Sequence, residues 1–206
     1  MTETLIIFSR YPKAGKTKTR MIPALGADGA AQLQREMTEH TVKTARELRQ
    51  SRNISTEIHF TGCDRELMEQ WLGKDFNYYP QVTGDLGIKM RSAFEGAFNN
   101  NSQRVVTIGI DCPDINKSIL NEAFNALEKQ DLVLGEAEDG GYYLIGLKRL
   151  IPELFQNINW GSSEVFDRTK SIAHQLNLNI HYLPILRDID RPEDLSIWQK
   201  HQNKLN

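Results

Sequence analysis

Cysteine is scarce in this sequence. Cys63 and Cys112 are the only two among 206 residues, and they have no paired spacing. That excludes a disulfide framework and any Cys/His cluster with zinc-ligand spacing, and a reduced, cytosolic protein is expected. An excess of charge of one sign is also missing. Lys plus Arg total 25 and Asp plus Glu total 27, a formal net charge of -2. The chain as a whole therefore has no bulk attraction to nucleic acid or to an anionic membrane. No apolar run approaches the roughly 18 residues of a spanning helix, so membrane insertion is not expected. The opening segment carries Glu3 where a signal peptide has bases, and Leu5-Ile6-Ile7-Phe8 is too short for its apolar core.

What is present is a regular alternation of short apolar runs and helical patterns. Strands are expected at Leu5–Phe8, Thr56–Phe60, Arg104–Ile110, Leu132–Gly135, Tyr142–Leu147 and Ile180–Ile185. Between them, helical spacing covers Asp28–Arg49 (with Asp28 as N-cap), Asp64–Leu72, Ile88–Phe98, Lys117–Lys129 and Ser163–Leu176, and a last helix starts at Pro192. This order predicts an α/β fold, a sandwich around a mostly parallel sheet. A length of 206 residues suits one domain, 1–206. Ligands of such sheets bind beyond the carboxyl ends of the strands, so the loops after Phe8, Ile110 and Ile185 are where chemistry is expected.

The first of these loops, Arg10 to Arg20, has five basic residues in eleven and no acid. With Gly15 permitting close backbone approach, it suits a polyphosphate. Gly15-Lys16-Thr17 is not a P-loop, because the glycine required five residues earlier is Arg10. In the second loop, Asp111 ends an apolar strand, where a carboxylate either holds a hard cation beside substrate phosphates or makes a turn. Asp114 is read as the cap of the helix that follows. In the third, Asp188 and Asp190 precede a helix start at Pro192 and could meet Asp111, while Glu193 and Asp194 suit helix capping. Two further segments are ambiguous: Gly84-Asp85-Leu86-Gly87 and Glu138-Asp139-Gly140-Gly141-Tyr142 are either turns or parts of a nucleotide pocket. Trp160-Gly161-Ser162-Ser163 reads as a capped helix entry with a packed indole. The five histidines fit no triad or metal spacing.

Taken together, Pro12-Lys13-Ala14-Gly15-Lys16-Thr17-Lys18-Thr19-Arg20, the two glycine segments, Gly109-Ile110-Asp111-Cys112-Pro113 and Asp188 to Leu195 resemble the nucleotide-diphospho-sugar transferase (GT-A) superfamily. Within it they look most like a bacterial family of small glycosyltransferase-like proteins, over Phe8 to Leu195. The resemblance implies a three-layer α/β/α GT-A fold. It implies a nucleotide bound by Pro12, Gly15, Lys16, Lys18, Arg20, Gly84, Asp85, Gly140 and Gly141. A divalent Mg²⁺ or Mn²⁺ is implied at Asp111 and Asp190, with Arg191 standing where relatives carry Thr. The expected activity is glycosyl transfer from a nucleotide-sugar to an unidentified acceptor. Lys18 and Arg20 would stabilise the leaving diphosphate and Asp139 would act as base. The Lys-Thr-Arg run also resembles 2-phospholactate guanylyltransferases, which makes an NTP-dependent nucleotidyltransferase releasing pyrophosphate the second expectation. The glycine-rich start of sugar nucleotidyltransferases is absent. A nucleotide-binding protein without turnover is the third expectation.

Overall fold

The structure, a computed structural model, describes residues 2–205. Seven strands, β1 (Glu3–Arg10), β2 (Ile54–Thr61), β3 (Asn77–Pro80), β4 (Arg104–Ile108), β5 (Leu132–Ala137), β6 (Tyr142–Leu147) and β7 (Ile180–Leu186), form one sheet in the order β3-β2-β1-β4-β6-β5-β7. Six helices accompany them: α1 (Ile22–Arg49), α2 (Arg65–Leu72), α3 (Leu86–Asn99), α4 (Lys117–Ala126), α5 (Val165–Gln175) and α6 (Leu195–Leu205). Only β6 runs against its neighbours, β4 and β5, and the remaining pairs are parallel. The sandwich expected from the strand–helix alternation is therefore the fold observed.

Alternation along the buried strands supplies both cores. Leu5 and Ile7 of β1 face α1, α2 and α4, in a layer with Ile58, Phe60, Val106 and Phe124. Ile6, between them, faces the opposite layer with Phe94 of α3 and Phe166 of α5. Strands buried on both faces read as continuous apolar runs, which is why β1 and β4 are plain in the sequence. The edge strand β3 is not. It has four residues, one of them Pro80, and only Tyr78 is buried.

Two local expectations need correcting. Asp28 is not an N-cap: α1 starts at Ile22 with Pro23 in its first turn and breaks at Gly26, whose φ of 71° a side chain would resist, so the long segment begins just past Gly26, beside the expected start. Asp114 does not cap α4. Asn116 does, its side chain accepting from the N–H groups of Ser118 and Ile119. Asp114 instead lies 3.4 Å from Nδ1 of His201. His201 also contacts His40, whose Nε2 lies 2.9 Å from the Pro113 carbonyl. That chain of contacts ties α6 to α1 and to the segment following Asp111.

The topology places the site. From β1 the chain proceeds outward through β2 to β3, then returns to add β4 on the other side of β1. Ile7 lies level with both Ile58 and Ile108, so the carboxyl ends of β1, β2 and β4 finish side by side. A crevice opens where the strand order reverses, the position at which open α/β sheets hold ligands.

Candidate functional site

The loop following β1 folds back on itself over that crevice. Tyr11 N–H donates to the Thr61 carbonyl and Lys16 N–H to that of Lys13. The Arg10 guanidinium donates to the Lys16 carbonyl at 2.9 Å. Gly15 has φ 72°, which a glycine adopts without strain. Its surroundings are open, with no atom within 4 Å of where a Cβ would sit.

Lys18 departs most from expectation. Rather than reaching into solvent, its side chain is only 4% exposed. Its Nζ lies 2.8 Å from the Asp111 carboxylate, and it also donates to the carbonyl of Ile189. The Ile189 N–H in turn donates to the Asp111 carbonyl at 2.8 Å. A cation from the first loop thus stitches together the ends of β4 and β7. Arg20, by contrast, is exposed and forms an ion pair with Asp190. All three loops singled out by their position therefore meet.

Two cavities open from this junction. One, about 650 Å³, is lined by the first loop, Gln34, Thr61, Gln81 and Lys89. The other, about 610 Å³, is lined by Glu138, Asp139, Trp160, Ser162, Asp188 and Asp194. Arg20, Leu86, Gly109, Asp111, Tyr142, Tyr143 and Asp190 line both, so the two form one cleft with Asp111 at its waist.

The acids of the cleft are not equivalent. The Asp190 carboxylate is engaged by Arg20, and its backbone N–H donates to Asp194. Asp188 lies on the same cavity wall as Asp111 and Asp139. Burial, followed by the negative charge of Asp139 and then that of Asp111 and Asp194, raises its pKa above the ordinary carboxylate value. Asp188 thus feels the charge of Asp111, and Asp190, the expected second ligand, lines both cavities with Asp111 while its carboxylate holds Arg20. Asp139 is exposed, and its Oδ1 accepts the Gly141 N–H at 2.8 Å.

Among the described residues no three His, Cys, Asp or Glu side chains are grouped to hold a metal ion. Two carboxylates facing one cavity still suit a hard divalent cation, because Mg²⁺ takes one or two from a protein and completes its shell with water and substrate phosphates. The donor set is all oxygen. Cys112 borders the cavity, but burial and the charges of Asp111, Asp188 and Asp139 push its thiol pKa far up. Cys63 is pushed up to about 11, chiefly by burial. Neither thiol is a ready nucleophile at neutral pH.

The glycine segments have structural work. A Cβ on Gly140 would stand 2.1 Å from the Ser163 carbonyl oxygen, and the Phe166 N–H donates to the Gly140 carbonyl. Gly140 thus lets the β5–β6 turn lie against the entry to α5. Gly84 has φ 139° and its missing side chain is replaced by Ile88. Asp85 caps α3, accepting from the Ile88 N–H at 2.8 Å. Gly87, which closes the same segment, admits the Phe155 carbonyl and the Trp160 indole, each 2.5 Å from a hypothetical Cβ. Trp160 is so held against α3 and stands edge-on to Tyr142, the ring centroids 6.4 Å apart. Pro12, Gly15, Gly84, Asp85 and Gly140 are absent from the cavity lining, while Lys16, Lys18, Arg20 and Gly141 are in it. The packed indole expected at Trp160 is observed, but that Gly87 is what it packs against was not readable from the sequence. For Asp188 the sequence did hold a signal, its place between a strand and a helix start in the third loop, and the structure puts it in the cavity lining with Asp190 while Ile189 between them is fully buried.

The charge on Asp188 has a stability consequence. A carboxyl pKa raised by folding favours the native state where the group is protonated, and that advantage is lost as pH rises through the folded value. At neutral pH the ionised Asp188 therefore costs stability. Asp188→Asn is expected to raise the thermal midpoint at pH 7.5, by about 2–4 °C for each kcal/mol of repulsion removed. The gain should fade below pH of about 4, where the carboxyl is neutral in either state. Thermal melts of both proteins at pH 7.5 and pH 4 check this. An unchanged or lowered midpoint at pH 7.5 would contradict the crowding of charge around Asp188.

Comparison with known proteins agrees with this architecture. The family described as an uncharacterized protein conserved in bacteria (DUF2064) matches residues 44–162, more than half of the chain. A candidate nucleotide-diphospho-sugar transferase from Desulfovibrio desulfuricans G20 superposes with a TM-score of 0.89 at 31% identity, covering 96% of this chain and 87% of its own. A nucleotidyl transferase from Methanothermobacter thermautotroptrophicus shares the fold with a TM-score of 0.67 at 13% identity, covering 100% of this chain and 99% of its own. A Mycobacterium tuberculosis H37Rv protein in complex with manganese shares it at 0.61 and 11%, covering 97% and 98%. No curated protein matches the sequence. With its family profile and its fold in agreement, the chain belongs to the bacterial DUF2064 family and to the nucleotide-diphospho-sugar transferase superfamily.

Proposed function

We propose that this protein transfers a glycosyl group from a nucleotide-diphospho-sugar to a hydroxyl-bearing acceptor, assisted by Mg²⁺ or Mn²⁺. The observation that carries the reading is the continuity of the cleft. Its cationic half, under the first loop, joins an acid-lined half through Asp111. The name of the Desulfovibrio relative supports the same reaction class.

In this reading the nucleotide lies under the first loop, with Lys16 and Arg20 against the diphosphate. Asp111 and Asp188 would hold the divalent ion, which when bound supplies positive charge to the diphosphate oxygens. Lys18 acts by position: buried between Asp111 and the Ile189 carbonyl, it fixes the carboxylate that faces the ion. Asp139, its Oδ1 anchored by the Gly141 N–H, takes the proton of the acceptor hydroxyl. The hydroxyl oxygen forms a bond to the anomeric carbon of the sugar. The bond from that carbon to the diphosphate oxygen breaks, and its electron pair leaves with the nucleoside diphosphate. Arg20 stabilises the charge that develops there.

A nucleotidyltransferase would use nearly the same residues but release pyrophosphate from an NTP. The cleft's acid-lined half favours the glycosyl reading, because an NTP-dependent enzyme of the guanylyltransferase kind must seat a phosphorylated acceptor. Incubating the protein with Mn²⁺, nucleotide-sugars or NTPs, and a library of hydroxyl compounds separates the possibilities. Release of nucleoside diphosphate from a nucleotide-sugar is expected. Pyrophosphate release from an NTP would replace this reading with the second. Binding of either class without consumption would make the protein a nucleotide-binding module.

A further inference from the structure

The two halves of the cleft carry opposite charge. The half under the first loop presents five cations, Arg10, Lys16, Lys18, Arg20 and Lys89, against the two acids Asp111 and Asp190. Beyond Asp111 the balance inverts. Six carboxylates, those of Asp111, Glu138, Asp139, Asp188, Asp190 and Asp194, face three arginines, Arg20, Arg187 and Arg191. Moreover, the arginines are largely engaged. Arg20 pairs with Asp190. Arg187 lies 3.4 Å from Glu138 and 3.8 Å from Asp194. Asp139 has a backbone N–H for a partner and, among the described residues, no ion pair with a cation. One wall of this half is aromatic, with the Trp160 and Tyr142 rings at 89° to each other.

We infer that the far half of the cleft accepts neutral or cationic groups, hydroxyl- or amine-bearing, and rejects carboxylates and phosphates. The inference rests on the donor reading above and deepens it by naming the charge class of whatever occupies the space beyond the diphosphate. Its physical basis is like-charge repulsion in a cavity partly closed to water: with Asp111 and Asp188 given to the ion, a carboxylate of the occupant would still meet Glu138, Asp139 and Asp194, while Arg20 and Arg187 are already paired and Arg191 is the lining arginine outside those pairs. Hydroxyls and ammonium groups find carboxylate acceptors in Glu138, Asp139 and Asp194. The sugar of a bound nucleotide-sugar extends from the diphosphate past Asp111, so a charged substituent on that sugar probes the same space.

Nucleotide-sugars of one shape and different charge therefore provide the test. Calorimetric titrations with Mg²⁺ at 0.15 M salt first identify which of UDP, GDP, CDP, ADP and dTDP binds. The hexose conjugate of that nucleotide is then compared with its uronate counterpart, for uridine UDP-glucose with UDP-glucuronate. The hexose form is expected to bind at least about tenfold more tightly. Equal or tighter binding of the uronate would overturn the charge inference while leaving the donor reading intact. Failure of all five nucleoside diphosphates to bind would instead remove the donor reading, and this inference with it. Glu138→Lys completes the test, since Glu138 is exposed and its side chain pairs with Arg187. That variant should shrink the discrimination about threefold or more. Undiminished discrimination would assign the selectivity to the shape of the sugar and overturn the electrostatic account.

Discussion

Asp111→Ala is expected to lower donor turnover by about a thousandfold or more and to abolish the Mg²⁺ dependence of nucleotide binding. The magnitude follows from what the carboxylate does. A metal-held diphosphate is stabilised by several kcal/mol as it departs, and each 1.4 kcal/mol is about tenfold in rate. The substitution also removes the partner of a buried cation, since Lys18 would keep only the Ile189 carbonyl. Loss of activity could then reflect a displaced loop, so Asp111→Asn is the informative companion. Asparagine retains an oxygen for the Lys18 ammonium but lacks the negative charge that a hard cation requires. Both variants should lose metal-dependent binding, measured by calorimetry with and without Mn²⁺, and only the alanine should lose appreciable thermal stability. Full metal dependence in the asparagine variant would remove Asp111 from the metal site.

The second large effect lies at the opposite end of the sheet. The Glu3 side chain is 5% exposed on β1 and receives the Arg52 guanidinium through two nitrogens. Nε of Arg104, on β4, stands 2.8 Å from Oε1, the oxygen that also accepts from Nη2 of Arg52. Arg52 reaches Asn125 of α4, and Arg104 reaches Glu128. One carboxylate thus neutralises the inner ends of two arginines. Removing it leaves positive charge in a poorly solvated place, and breaking such a buried pair costs about 3–5 kcal/mol. Glu3→Ala should lower the thermal midpoint by roughly 6–20 °C at pH 7. Because this cluster lies at the amino ends of the strands, far from the cleft, nucleotide affinity measured below the transition should be unchanged. A drop of less than 2 °C would mean that water reaches the two guanidinium groups freely.

These two acids show where sequence reasoning reaches and where it stops. Asp111 was legible because it follows the most apolar strand, and a carboxylate there emerges at the ligand-binding edge of any parallel sheet. Glu3 was read only as an acid in an opening segment. Its partners lie 49 and 101 positions away along the chain, a pairing decided by the lateral order of β1 and β4 and by the end of α1.

Local composition alone determined the alternation of elements, the buried strands β1 and β4, the cationic loop over the carboxyl edge, and the three loops that meet there. Each depends on periodicity or on residues adjacent in the chain. The tertiary structure alone decided which side chains join across it: Lys18 with Asp111 and Ile189, Arg20 with Asp190, Asp188 among the other acids, and Trp160 against Gly87. It also decided the reversal of β6 and the short edge strand β3. Such choices arise from the through-space register of elements far apart in sequence. The energy of a charge there depends on its burial and on neighbours that no local window contains.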